Sequence, residues 1–169
     1  MIASVLQDAF AHHVWATLTL LDVCRELPPE RLDTTVPGTY GSILDTMRHL
    51  VGADASYLFV LTGGRSRRVD ADAMDLDELR AAVVGFGEAW QERLAGDIDP
   101  GRELTRTRDD GSTMRAPVSI RLSQALHHGT DHRSQICTAL TTIGVEPPPI
   151  DVWAYGWQDG RVIETEPTS

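Results

Sequence analysis

The chain has 169 residues, of which 41% are hydrophobic and 24% charged, so it suits one domain over residues 1–169 and is neither disordered, collagenous nor a disulfide scaffold. Fifteen Lys and Arg against 25 Asp and Glu leave a net charge of −10, which argues against a nucleic-acid partner, since such partners are held through a basic face. No apolar run approaches the roughly 20 residues that span a bilayer, and the stretch Met1 to Phe10 lacks the basic start of a signal peptide, so the expectation is a cytoplasmic protein with no membrane partner.

From Ile2 to about Leu27, apolar residues recur at Leu6, Phe10, Val14, Leu21 and Cys24, the spacing of an amphipathic helix, until Pro28 and Pro29 stop it. A polar stretch with Pro37, Gly38 and Gly41 leads to Ser42, an N-cap with Asp45 three residues on, which opens a second helix through Met47, Leu50, Val51 and Leu58. That helix ends near Gly63 and Gly64, and the only basic cluster, Arg65, Arg67 and Arg68, reads as the loop beyond. A third helix is predicted from about Leu76 to Leu94. Between Arg102 and Pro117 two short alternating runs flank the turn sequence Asp109-Asp110-Gly111, which predicts a β-hairpin. A fourth helix follows from about Ser119 to Ile143, stopped by Gly144. The tail, with Trp153, Tyr155 and Trp157, is too aromatic to float free and is expected to pack back. The predicted class is therefore all-α: a four-helix bundle with a short β-hairpin between helices three and four and an aromatic C-terminal tail. Cys24 and Cys137 lie in apolar helical patterns and read as two buried free thiols.

Chemistry concentrates in the fourth helix, at His127-His128-Gly129-Thr130-Asp131-His132-Arg133-Ser134-Gln135. Two pairs are four residues apart, His128 with His132 and His127 with Asp131, and either could hold a metal from one helix face. At about 100° per residue from Leu122, His128 and His132 fall at roughly 240° and 280°, flanking the apolar stripe, whereas His127 and Asp131 fall on the solvent side. Gln135 shares the angle of His128 and can hydrogen-bond the free nitrogen of a ligand. A histidine at the edge of a stripe is ordinarily a hydrogen-bonded core residue, and a catalytic metal wants a third protein ligand from another helix. Candidates are His12, His13 and His49. His12 sits away from the stripe of helix one and is expected in solvent. His49 lies opposite Met47, Val51 and Leu58, so periodicity alone selects His13. Asp54 falls inside the stripe of helix two, where it would close a metal site, act as a general base, or form an ordinary salt bridge to Arg133 or Arg48. The chain has no Lys, which excludes lysine Schiff-base chemistry, and no nucleophilic-serine motif or phosphate-cradling glycine loop.

The segments His13-Val14-Trp15-Ala16, Arg48-His49-Leu50-Val51-Gly52-Ala53-Asp54 and His128-x-x-x-His132-Arg133-x-Gln135, in that order, resemble the DinB/YfiT-like family of four-helix-bundle metalloproteins. The resemblance implies His49, His128 and His132 as metal ligands, with His13 a neighbour, while the helix positions of Asp54 and Gln135 make these two the candidate catalytic residues. It also implies a homodimer acting on a small-molecule substrate. Zinc or nickel suits imidazole ligands. Members of the family with assigned activities look like transferases that use a low-molecular-weight thiol such as mycothiol or bacillithiol, and others like metal-dependent hydrolases. The expectation from another class is a non-catalytic, stress-related dimeric bundle with a structural metal.

Overall fold

The computed structural model describes residues 3–108 and 110–165. The expected helix start at Ile2, the turn residue Asp109 and the last residues of the expected 1–169 domain lie outside them. Among the described residues the chain is mostly helical, with six α-helices and one two-stranded antiparallel sheet. The helices are α1 (Val5–Arg25), α2 (Pro29–Leu32), α3 (Ile43–Leu61), α4 (Leu76–Ala95), α5 (Val118–Thr142) and α6 (Val152–Gln158); strands β1 (Glu103–Thr107) and β2 (Thr113–Pro117) lie between α4 and α5.

Three of the long helices open on capping boxes, each pairing an N-cap oxygen with the backbone three residues on and a returning side chain: Ser4 with Gln7, Ser42 with Asp45, and Asp75 with Glu78. The fourth, α5, follows directly on β2 and has Pro117 at its N-cap, which offers no side-chain acceptor. The segment leading into β1 supplies acceptors instead: the Val118 and Ser119 N–H groups donate to the carbonyls of Arg102 and Pro100. Buried Arg121 then ties the sheet to α5 by donating to the carbonyls of Leu104 and Met114. Strand pairing runs from Glu103 opposite Pro117 to Thr107 opposite Thr113, and Gly111 in the connection takes φ +80°, a conformation that favours glycine.

α1 packs on α4 and α5, and α3 packs on the same two helices. Their facing stripes form one core in which Phe10, Leu20, Met47, Leu50, Leu58, Leu79, Trp90, Ile136 and Leu140 are buried. Phe10 and Trp90 meet with ring centroids 4.3 Å apart. No described helix is long and apolar enough to cross a membrane.

Two elements go beyond the sequence-based expectation, α2 and a 3-10 turn at Ala71–Ala73 that lies against α3. The tail folds back as expected, through Tyr155 against Trp15 and a hydrogen bond from the Trp15 indole to Gln158, yet Trp153 and Trp157 stay exposed. His12 is half-buried under that tail rather than solvated, with its Nε2 2.8 Å from the Ile150 carbonyl.

Candidate metal centre

α3 and α5 run against one another, and where they do so His49, His128 and His132 come together. Each offers a ring nitrogen, and these atoms all lie within 4.8 Å of one another. The Nε2 atoms of His49 and His128 face each other at 3.0 Å. Ring centroids are 4.9 Å apart for His49 and His128, 4.7 Å for His49 and His132, and 4.3 Å for His128 and His132. Nitrogens bound at about 2.0–2.1 Å to one ion in tetrahedral geometry stand about 3.3–3.4 Å apart, so the widest pair must close by up to about 1.5 Å for all three to share one cation, a movement that side-chain rotation supplies.

The protonation states suit that use. Gln135 Oε1 accepts from the Tyr40 backbone N–H at 2.9 Å and lies 3.0 Å from His132 Nδ1. An amide oxygen can only accept, so His132 carries its proton on Nδ1 and keeps the Nε2 lone pair free. Burial, followed by repulsion from His132 and His49, pushes His128 down to about 4. His49 is lowered for the same two reasons, burial first and then His132. Both rings are therefore neutral near pH 7 and able to donate a lone pair to a cation. The buried Nδ1 of His128 has no hydrogen-bond partner among the described residues. His127, one residue away, is exposed and takes no part.

Asp54 is not part of this cluster. It is 2% exposed, and its Oδ2 lies 2.6 Å from Nε2 of His13, itself 1% exposed. The other nitrogen of His13 receives a hydrogen bond from the Arg133 guanidinium at 3.0 Å. Since arginine can only donate, His13 Nδ1 accepts and Nε2–H donates to Asp54: a neutral imidazole bridges a buried cation and a buried carboxylate. The salt bridge expected from Asp54 to Arg133 or Arg48 is thus relayed through His13, because His13 occupies the space between them; Arg48 donates instead to the Met74 carbonyl. Gly129 makes room for the relay, since a Cβ there would stand 2.6 Å from His13 Nδ1 and 2.9 Å from the Arg133 guanidinium. The periodicity of α1 correctly buries His13, but as this bridge rather than as a third ligand.

Two residues at the site carry no signal in the sequence reading. Tyr40, 57% exposed on the loop before α3, stacks on His49 with centroids 3.9 Å apart and planes 16° apart, and meets His132 edge-on. Tyr57 presents an edge contact to His128 at 5.9 Å. Tyr40 sits in a Gly-rich loop, where no periodicity assigns a direction to its side chain. Arg133, by contrast, is expected from the sequence as a partner of Asp54, and on the α5 wheel it falls about 20° from Leu122, in the middle of the apolar stripe, where a cation demands a buried partner.

A family model described as DinB family matches residues 1–166. The chain belongs to the DinB family. It is similar to Protein DinB of Bacillus subtilis (strain 168), with 21% identity over 155 residues that cover 86% of this chain and 90% of that protein. Membership of the DinB family and a three-histidine cluster that could hold a metal ion thus stand together.

Proposed function

We propose that this DinB-family protein is a single-domain four-helix bundle, formed by α1, α3, α4 and α5, that works as a divalent-metal-dependent enzyme. His49, His128 and His132 hold the ion, zinc or nickel, and the reaction is transfer of a low-molecular-weight thiol of the mycothiol or bacillithiol kind to a small electrophilic substrate. The observation that carries the reading is the convergence of three histidine nitrogens, with two rings held neutral by burial and the third set in one tautomer by Gln135. A divalent ion bound there supplies Lewis acidity, lowering the pKa of a thiol or water that reaches it.

The chain's own residues then have separable roles. Gln135 orients His132 and, through the Tyr40 N–H, ties the loop before α3 to α5. Tyr40 covers one face of His49 and, being exposed, is placed to meet a substrate. Asp54 positions the helices through His13 and Arg133, since its Oδ2 already accepts a hydrogen bond from the His13 Nε2–H. The protein's own thiols are poor nucleophiles: burial pushes Cys24 up to about 12, and it raises Cys137 also, against the opposing pull of Arg133. The nucleophile therefore arrives with the substrates. Two copies of the chain form the working dimer, in the cytoplasm.

The test is to incubate metal-loaded protein with monochlorobimane and, in turn, mycothiol, bacillithiol, coenzyme A and glutathione. Conjugation accelerated by one thiol and lost in His128→Ala supports the transferase. No acceleration with any of them, alongside metal-dependent cleavage of ester or amide substrates, replaces it with a hydrolase.

A further inference from the structure

A second candidate site is a cavity that none of the three histidines lines. It has a volume of about 700 Å³ and opens where the end of α3 and its Gly63 turn, the second half of α4 and the base of the hairpin meet. That size falls within the roughly 300–1,000 Å³ of small-molecule sites. The twelve residues from His49 to Leu61, at the cavity rim, correspond to about 18 Å along α3.

One wall is apolar, built from Val60, Ala89, Leu104 and Val118. Three arginines from three separate segments line the same space: Arg65 after α3, Arg93 on α4 and Arg102 before β1. Arg93 is held in place, its Nε donating to the Leu61 carbonyl at 3.1 Å. The side chains of Arg65 and Arg102 make no hydrogen bond or ion pair among the described residues, even though Glu92 and Asp97 line the cavity with them. The basic run of the α3–α4 loop is thereby divided. Arg68 lies over the Phe59 ring at 4.2 Å, whereas Arg65 turns to the cavity. In a chain of net charge −10, three guanidinium groups gather around an apolar wall, two of them without a partner among the described residues, which sets positive charge beside an apolar surface.

We propose that this cavity binds an amphipathic carboxylate. Its carboxyl group would pair with Arg65 and Arg102, whose forked donors match two carboxylate oxygens, and its hydrocarbon would lie on Val60, Ala89 and Leu104. The site is independent of the histidine centre and of the reaction proposed for it.

Titration calorimetry of the full chain with octanoate, octanol and octylamine tests the assignment. Octanoate is expected to saturate one site per chain, to bind at least about tenfold more tightly than octanol, and to lose about tenfold in the Arg65→Ala/Arg102→Ala double variant. Binding is expected to persist after metal chelation. No saturable octanoate binding up to about 1 mM, equal affinity for octanol or octylamine, or an unchanged double variant would overturn the proposal. So would loss of octanoate binding on chelation, which would place the carboxylate at the histidines instead.

Discussion

Replacing Asp54 with Ala removes the only carboxylate in the buried relay and leaves two problems behind it. The Arg133 side chain, 3% exposed, becomes a buried cation without a counter-charge, and the His13 Nε2–H loses its acceptor. Asp54 and His13 have side chains 3% and 1% exposed, so solvent does little to screen the loss. Breaking a buried pair from one side costs about 3–5 kcal/mol. That is a large share of the roughly 5–15 kcal/mol that a domain has in total, and it corresponds to a drop in Tm of roughly 6–20 °C at this chain length. The assay is urea unfolding of metal-free protein followed by far-UV circular dichroism, so that linkage to metal binding does not enter. The companion variant Asp54→Leu/Arg133→Met removes both charges and is expected to be more stable than Asp54→Ala, because no buried charge is then left unpaired. A loss below about 1 kcal/mol for Asp54→Ala, the size of an exposed pair, would show instead that the relay is hydrated.

Gln135→Ala should leave the unfolding midpoint within about 1 kcal/mol of the parent but weaken metal binding about 10–100-fold in a chelator competition, because His132 loses the acceptor that sets its tautomer. The metal-free protein should lose stability as pH falls from about 6.5 to about 4: the folded-state pKa of His128 is depressed, so the unfolded chain binds the extra proton throughout that window. Urea midpoints measured across the range check this, and a flat profile would contradict it; metal-loaded protein should release its ion over the same window, as protons compete for the nitrogens. Gly129→Ala, favourable for an isolated helix by about 1 kcal/mol, should instead destabilise by about 1–3 kcal/mol, since the new methyl meets His13 and Arg133; a stabilised variant would show that the relay can shift aside.

The parts legible in the sequence are those with a local cause. The Ser42–Asp45 cap, the Gly63, Gly64 and Gly144 stops at positive φ, the hairpin and the long helices all follow from spacing and turn chemistry within a few residues. α2 and the Ala71–Ala73 turn span four and three residues, too short for any period to register. His49 shows why the site was only half legible. Its angle on the helix, opposite Met47 and Leu58, puts it outside a single buried stripe, but α3 packs on α4, α5 and the 3-10 turn and so has more than one covered side. The three segments that resemble the family, rather than periodicity, placed it with His128 and His132. The His13–Asp54–Arg133 relay joins residues 41 and 120 positions apart, and only packing reveals which buried polar groups find one another.

The most direct test of the three-histidine centre is metal content, measured by mass spectrometry on protein purified without an affinity tag and reloaded separately with zinc and nickel. One divalent ion per chain is expected, lost in His49→Ala, His128→Ala and His132→Ala alike while each variant keeps its helical spectrum and cooperative unfolding, since the hydrophobic core does not depend on the ion. An ion retained in His49→Ala, or lost in His13→Ala with the fold intact, would contradict the assignment of His49 as the third ligand.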